Sequence, residues 1–154
     1  MKRLIFFIIG FFCSTVVFAQ NGAFDLLNKQ HEAHSTVYKM QDFTGSTLGA
    51  TLLKAGYTED GTGGWEHELQ QNRRLVVQCR IINGNIQTTI LLTPANASEQ
   101  QELFNGIVDE FIQVLGRRPV SSTAGLAREW KGTPYGDIRV MIFARYVTFS
   151  MTDI

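Results

Sequence analysis

Apolar residues recur along this chain with two different periods, and each change of period marks an element. From residue 74 to 82 they alternate, with Leu75, Val77, Cys79 and Ile81 on one parity and Val76, Gln78, Arg80 and Ile82 on the other. Residues 86–92 do the same, with Ile86, Thr88, Ile90 and Leu92 opposite Gln87, Thr89 and Leu91. A period of two sends successive side chains to opposite faces of a strand. The link Asn83-Gly84-Asn85 contains the Asn-Gly pair that tolerates positive φ, so the two runs are predicted to form a hairpin. Near the C-terminus, residues 138–143 and 146–152 repeat the pattern, with Ile138, Val140 and Ile142 and then Val147, Phe149 and Met151 facing one way. Shorter strand-like runs fall at 65–69 and 126–131, and a turn is expected at 71–73.

Between the hairpins the period becomes helical. Leu103, Phe104, Ile107, Val108, Phe111, Ile112 and Leu115 follow the i, i+3, i+4 spacing of a wide buried face, and Gly116 and Pro119 stop it. Ser98 with Gln101 reads as its capping box, and Gln100 falls on the solvent side. A second helix is predicted over residues 44–55, capped by Thr44 or Ser46, buried through Leu48, Leu52 and Leu53, and ended by Gly56. Residues 21–35 are polar but place Phe24, Leu27, His31 and His34 on one stripe, which suits a short helix.

The order is therefore helix, three strands, helix, three strands. That predicts an α+β fold of two αβββ-like units, about residues 44–93 and 97–154, with the helices on one face of antiparallel sheet. Residues 20–43 would precede this single domain as a polar segment. Trp65 and Trp130 fall in the first strand of each unit, as packing residues at matched sites. In element order the chain resembles the tandem helix-on-sheet architecture of β-lactamase-inhibitor proteins and of some outer-membrane assembly lipoproteins.

Composition adds a compartment. Met1-Lys2-Arg3, an apolar run to Phe18 and the small Ala19 read as a signal peptide over residues 1–19, cut before Gln20. The run is too short and interrupted for a membrane span, which needs about 18 or more consecutive apolar residues. Cleavage would take away Lys2 and Arg3 of the fourteen basic residues, against fourteen acidic ones, for a net charge near −2. A near-neutral chain with scattered charge gives no electrostatic footprint for a phosphate backbone, so nucleic acid is not an expected partner. Cleavage would also remove Cys13, leaving Cys79 alone as a small core residue with no intramolecular disulfide.

The candidate chemistry is sparse. His31 and His34 lie one helical turn apart and His67 is the only other imidazole, but the zinc-protease order His-Glu-x-x-His is absent. Gly45-Ser46-Thr47-Leu48-Gly49 has threonine where a nucleophile elbow has serine, and no strand precedes it; a helix cap accounts for it. Asp60-Gly61-Thr62-Gly63-Gly64 lacks the Gly-Lys-Ser/Thr ending of a phosphate loop and leads into a strand.

The outward strand parity carries more. It collects Val76, Gln78, Arg80, Ile82, Gln87, Thr89, Leu91, Arg139, Met141, Phe143, Thr148 and Ser150, a mixture of apolar groups, uncharged hydrogen-bonders and arginines typical of a wet interaction surface. The expected function is an exported binding or inhibitor-like domain, periplasmic or secreted, using an open sheet face. Arg80, Arg139, Phe143, Gln78 and Met141 are its candidate contact residues, and another protein or a small envelope ligand its partner. No catalytic residue, metal or cofactor is assigned. The alternative is a structural or assembly role in the cell envelope, with a small hydrolase or metal enzyme third.

Overall fold

The computed structural model describes residues 22–121 and 124–154, so the expected leader lies outside the described residues. Helix α1 spans Ala23–Thr44 and α2 Leu48–Lys54. Strands β1 (Thr58–Glu59), β2 (Trp65–Gln70), β3 (Leu75–Ile82) and β4 (Asn85–Leu92) follow. Helix α3 (Ala97–Leu115) then leads to β5 (Val120–Ser121), β6 (Ala127–Thr133), β7 (Gly136–Phe143) and β8 (Tyr146–Thr152). All eight strands join one antiparallel sheet in the order β1-β2-β3-β4-β8-β7-β6-β5. The fold is α+β, three helices packed on one open sheet.

The order of the sheet exposes the relation between the halves. Each half runs inward from a two-residue edge strand, and β4 meets β8 at the centre, Thr88 opposite Met151 and Ile90 opposite Phe149. The helix that answers α3 is α1, where the sequence pointed to residues 44–55. Helix α1 lies along β4 and β8, α3 along β7 and β8, and the two touch each other. Both end on a glycine in the left-handed region, Gly45 at φ 69° and Gly116 at φ 66°, whose N–H returns to the carbonyl of Gln41 or Ile112. Such a cap satisfies a carbonyl that the last turn would leave open, at a φ that a side chain resists.

Several local expectations shift. The N-terminal helix is 22 residues long and its first turns belong to the core, with Ala23 and Leu27 fully buried. Thr44 closes α1, and the cap of the seven-residue α2 is Thr47, which accepts from the Ala50 N–H. The cap of α3 is Asn96, two residues before Ser98; its side chain accepts from the Glu99 N–H while Glu99 accepts from the Ala95 N–H. Asparagine is among the strongest N-caps, and Glu99 reaches back one residue past the cap, to the N–H of Ala95 and not to that of Asn96 as a capping box would. Gln100 is no solvated residue, since its amide donates to the carbonyls of Ala144 and Tyr146 at 2.9 and 3.1 Å.

Two apolar clusters lie between helices and sheet. The larger gathers Phe24 and Leu27 of α1, Phe104, Ile107, Val108 and Phe111 of α3, and the inward residues of β3, β4, β6, β7 and β8, Trp130 among them. The smaller joins Leu48 and Leu52 of α2 to Cys79 and Ile86, with Val37, Tyr38 and Trp65 at its margin.

Candidate functional site

Two regions carry polar organisation beyond what the fold requires: the sheet face without helices, and a row of buried polar side chains under α1.

On the helix-free face, cross-strand register sets the neighbours. One row runs Glu68, Val76, Leu91, Thr148, Met141, and the next runs Glu66, Gln78, Thr89, Ser150, Arg139, Glu129. The five residues singled out from the sequence all lie on this face, but in different circumstances. Arg80 is committed to the chain itself: its Nη2 donates to Asp60 at 2.8 Å and to the Thr62 hydroxyl at 2.7 Å. Arg139 pairs with Glu129 at 3.2 Å, and Gln78 reaches Glu66, which Arg73 holds through Nη1 and Nη2 at 2.7 and 3.1 Å. Met141 is half-buried, whereas Phe143 is 60% exposed. Phe143 stands opposite Tyr146 in register, and the Arg145 guanidinium lies over the Tyr146 ring at 5.2 Å. Leu91, Met141, Phe143 and Tyr146 thus form an apolar and aromatic area beside the β7–β8 turn. Tyr146 carries the outward parity of its strand and was legible by the rule that picked out Thr148 and Ser150. Val76, also outward by parity, is fully buried between Glu68 and Leu91.

The glycine loop before β2 is filled from within. One oxygen of Asp60 accepts the Thr62 N–H, the Thr62 hydroxyl and the Gly64 N–H at 2.8, 2.8 and 3.1 Å, and the other accepts Arg80. Burial pushes this carboxyl up, but the bonds from Thr62, Gly64 and Arg80 outweigh it and bring it down to about 2. A carboxylate already occupies the place an anionic ligand would take.

The buried row is centred on Thr88 of β4, whose hydroxyl lies 3.1 Å from Nδ1 of His31 and 2.7 Å from Nδ1 of His34. The outer nitrogens are engaged too, Nε2 of His31 with Asp153 and Nε2 of His34 with the Tyr57 hydroxyl, both at 2.8 Å. Ser35 donates to the second oxygen of Asp153 at 2.7 Å. Thr88 is fully buried, and the two imidazoles are 4% and 3% exposed. Burial pushes Asp153 up, but Ser35 and His31, with help from Lys39, outweigh it and leave it a carboxylate.

With both imidazoles neutral, every hydrogen in the row has one possible place. Asp153 can only accept, so Nε2 of His31 carries a hydrogen and Nδ1 must receive one from Thr88. Thr88 therefore accepts from Nδ1–H of His34, and Nε2 of His34 accepts from Tyr57. The chain runs in one direction from tyrosine to aspartate, each member satisfied.

Asp153, His31 and Thr88 have the composition of a carboxylate–imidazole–hydroxyl triad. Their surroundings give them another role, because the hydroxyl is enclosed between two imidazoles with no space for a substrate carbonyl. Nor do the histidines converge on a metal. Their ring nitrogens are occupied, His67 stacks on Tyr57 at 5.1 Å with Nδ1 toward the Gly56 carbonyl, and among the described residues no three His, Cys, Asp or Glu side chains form a ligand set. What the row can do is hold a proton, or transmit a change of protonation, beneath α1.

Two concavities lie away from the helix-free patch. One of about 450 Å³ opens between Tyr38, Lys39, Asn85, Tyr135 and Asp153, and one of about 300 Å³ lies beside Gly61, Gly63 and Trp65. Among the described residues, no helix is long and apolar enough to cross a membrane. No family model, curated protein or solved structure matches the chain.

Proposed function

We propose that this protein is an exported binding domain that takes a protein partner on the helix-free face of its sheet, at the end where Leu91, Met141, Phe143 and Tyr146 meet. The observation that supports this reading is the exposure of Phe143 within a face where Arg73 is matched with Glu66, Arg80 with Asp60 and Arg139 with Glu129, and where Arg145 at the turn lies over the Tyr146 ring. Apart from Arg145 at its end, such a face offers paired charge, so it suits a partner that brings a partly apolar surface over the β7–β8 turn. Interfaces concentrate energy in a few aromatic and arginine side chains. Here that weight moves from Arg80 to Phe143 and Met141, because the Arg80 guanidinium is spent on the Asp60 loop.

The test is photo-crosslinking from position 143 in envelope extract and culture medium, with position 53 on α2 as the control site. A protein adduct formed from 143 and absent from 53 is expected. Phe143→Ala should weaken binding of the captured protein by about 2 kcal/mol, roughly thirtyfold. Adduct formation from 53 alone, or affinity unchanged in Phe143→Ala and Met141→Ala, would remove the sheet face as the binding surface.

A further inference from the structure

The row of polar side chains also divides the core. On one side of His31, Thr88 and His34 lies the larger cluster, anchored by Phe24, Leu27 and Phe111; on the other lies the smaller one, built from Leu48, Leu52, Cys79 and Ile86. The first turns of α1 belong to the larger cluster, and Glu110 of α3 holds them by accepting the N–H groups of Ala23 and Phe24. Beyond His34 the helix has only Val37 and Tyr38 against the smaller cluster, while Met40 and Phe43 are 48% and 88% exposed. The far half of α1 and all of α2 are therefore attached through the polar row, the smaller cluster with Tyr38, Tyr57 and Trp65 at its margin, and the bond from the Tyr38 hydroxyl to the Gly84 carbonyl.

We propose that this row is a proton-sensitive joint: acidification detaches the C-terminal half of α1, together with α2, from the sheet while the larger cluster stays folded. The geometry makes the joint intolerant of a proton on His34. A proton on Nε2 of His34 turns that nitrogen into a donor aimed at the Tyr57 hydroxyl, which must reverse its own hydrogen. A proton on Nδ1 of His31 turns the Thr88 hydrogen toward Nδ1 of His34, whose own hydrogen then sits on Nε2; with both rings protonated, the two Nδ1–H groups meet at the Thr88 oxygen and the Thr88 hydrogen has no acceptor in the row. Each protonation reverses the bonds beyond it or leaves a buried donor without an acceptor, and an unmade buried bond is costly.

The surroundings of His34 favour its neutral ring. Lys39 follows on α1; Cys79 of β3 stands opposite Thr88 in register; Tyr57 and His67 close the α2 side; Asp153 is the only carboxylate in the row, and it already accepts from His31 and Ser35. Burial first, and the neighbouring His31 second, hold His34 down to about 4 in the closed joint. In the open joint it would return toward its ordinary value of 6.5. Opening therefore takes up a proton across that window, and falling pH drives it.

The experiment is hydrogen exchange of the full chain, followed by NMR between about pH 7 and pH 4 and corrected for intrinsic rates. A single linked proton changes an opening equilibrium up to about tenfold per pH unit inside its window. The amides of Val37, Leu52 and Leu53 should lose protection at close to that rate, while those of Phe104, Val108 and Phe111 keep theirs. His34→Gln, which retains hydrogen-bonding capacity without titrating, should flatten the response. Should that variant fail to fold, the His34 ring resonance in the unaltered protein decides, titrating well below 6.5 if the joint is as described. Parallel loss of protection in α2 and α3, an unchanged slope in a folded His34→Gln protein, or a His34 titration near 6.5 would overturn the proposal.

Discussion

Glu110, in the middle of α3, accepts the backbone N–H of Phe24 at 2.8 Å, and its other oxygen takes the N–H of Ala23 at 3.0 Å. The first turn of α1 is thus capped by a side chain from another helix, while its own N-cap residue, Gly22, offers no side chain. A carboxylate at that end also meets the positive pole of the helix. Glu110→Ala should lower stability by about 1–2 kcal/mol, in the range of lost N-caps, and Glu110→Gln should recover part of it through its remaining acceptor. Urea midpoints of the three proteins measure the difference.

Phe111 and Gln100 are about three turns apart on the same side of α3, where the sequence pointed Gln100 to the opposite face, and both hold something. Phe111 is fully buried, with its ring 5.3 Å from Phe24, 5.9 Å from Trp130 and 6.0 Å from Phe149. Phe111→Ala should cost about 3–5 kcal/mol, because those rings cannot close the cavity. Gln100 ties α3 to the β7–β8 turn, where Ala144 sits at φ 50°, a left-handed conformation that favours glycine. Gln100→Ala should therefore cost about 1 kcal/mol, where a solvated residue would cost nothing. Chemical denaturation resolves both.

Stability should also fall with acidity in a defined window. His34 binds a proton in the unfolded chain near 6.5 but in the folded one only near 4. The unfolded state carries more protons between those values, so the contribution of the neutral ring is complete above 6.5, declines as pH falls and is gone below about 4. Its full size is roughly 3 kcal/mol. Asp153, held below its usual range, adds a loss in the same direction at still lower pH. Denaturation midpoints from pH 7 to pH 4 should decline in the unaltered protein and change much less in His34→Gln.

Much of this architecture was legible because strands and amphipathic helices write their period plainly. The 75–92 and 138–151 hairpins followed from alternation, and α3 from its aliphatic stripe. The length of α1 was obscured for a physical reason: its buried face continues through His31, His34 and Ser35, residue types that read as solvated unless their partners are known. Those partners, Thr88, Tyr57 and Asp153, lie 23 to 122 positions away. Distance in sequence also hid the pairing of each arginine on the helix-free face. Strand parity placed Arg80 outward correctly, but parity says nothing of the Asp60 carboxylate that claims it.

The meeting of β4 and β8 at the centre of the sheet has a kinetic consequence. Hairpins β3–β4 and β7–β8 each close a short loop, so they can form early and independently. The ladder between them brings together residues such as Thr88 and Met151 from opposite halves of the chain, and the entropy of closing so long a loop is lost before any contact rewards it. This topology favours a sheet that zips from its flanks toward its middle. Until that last ladder closes, α1 has only half of the floor on which it finally rests.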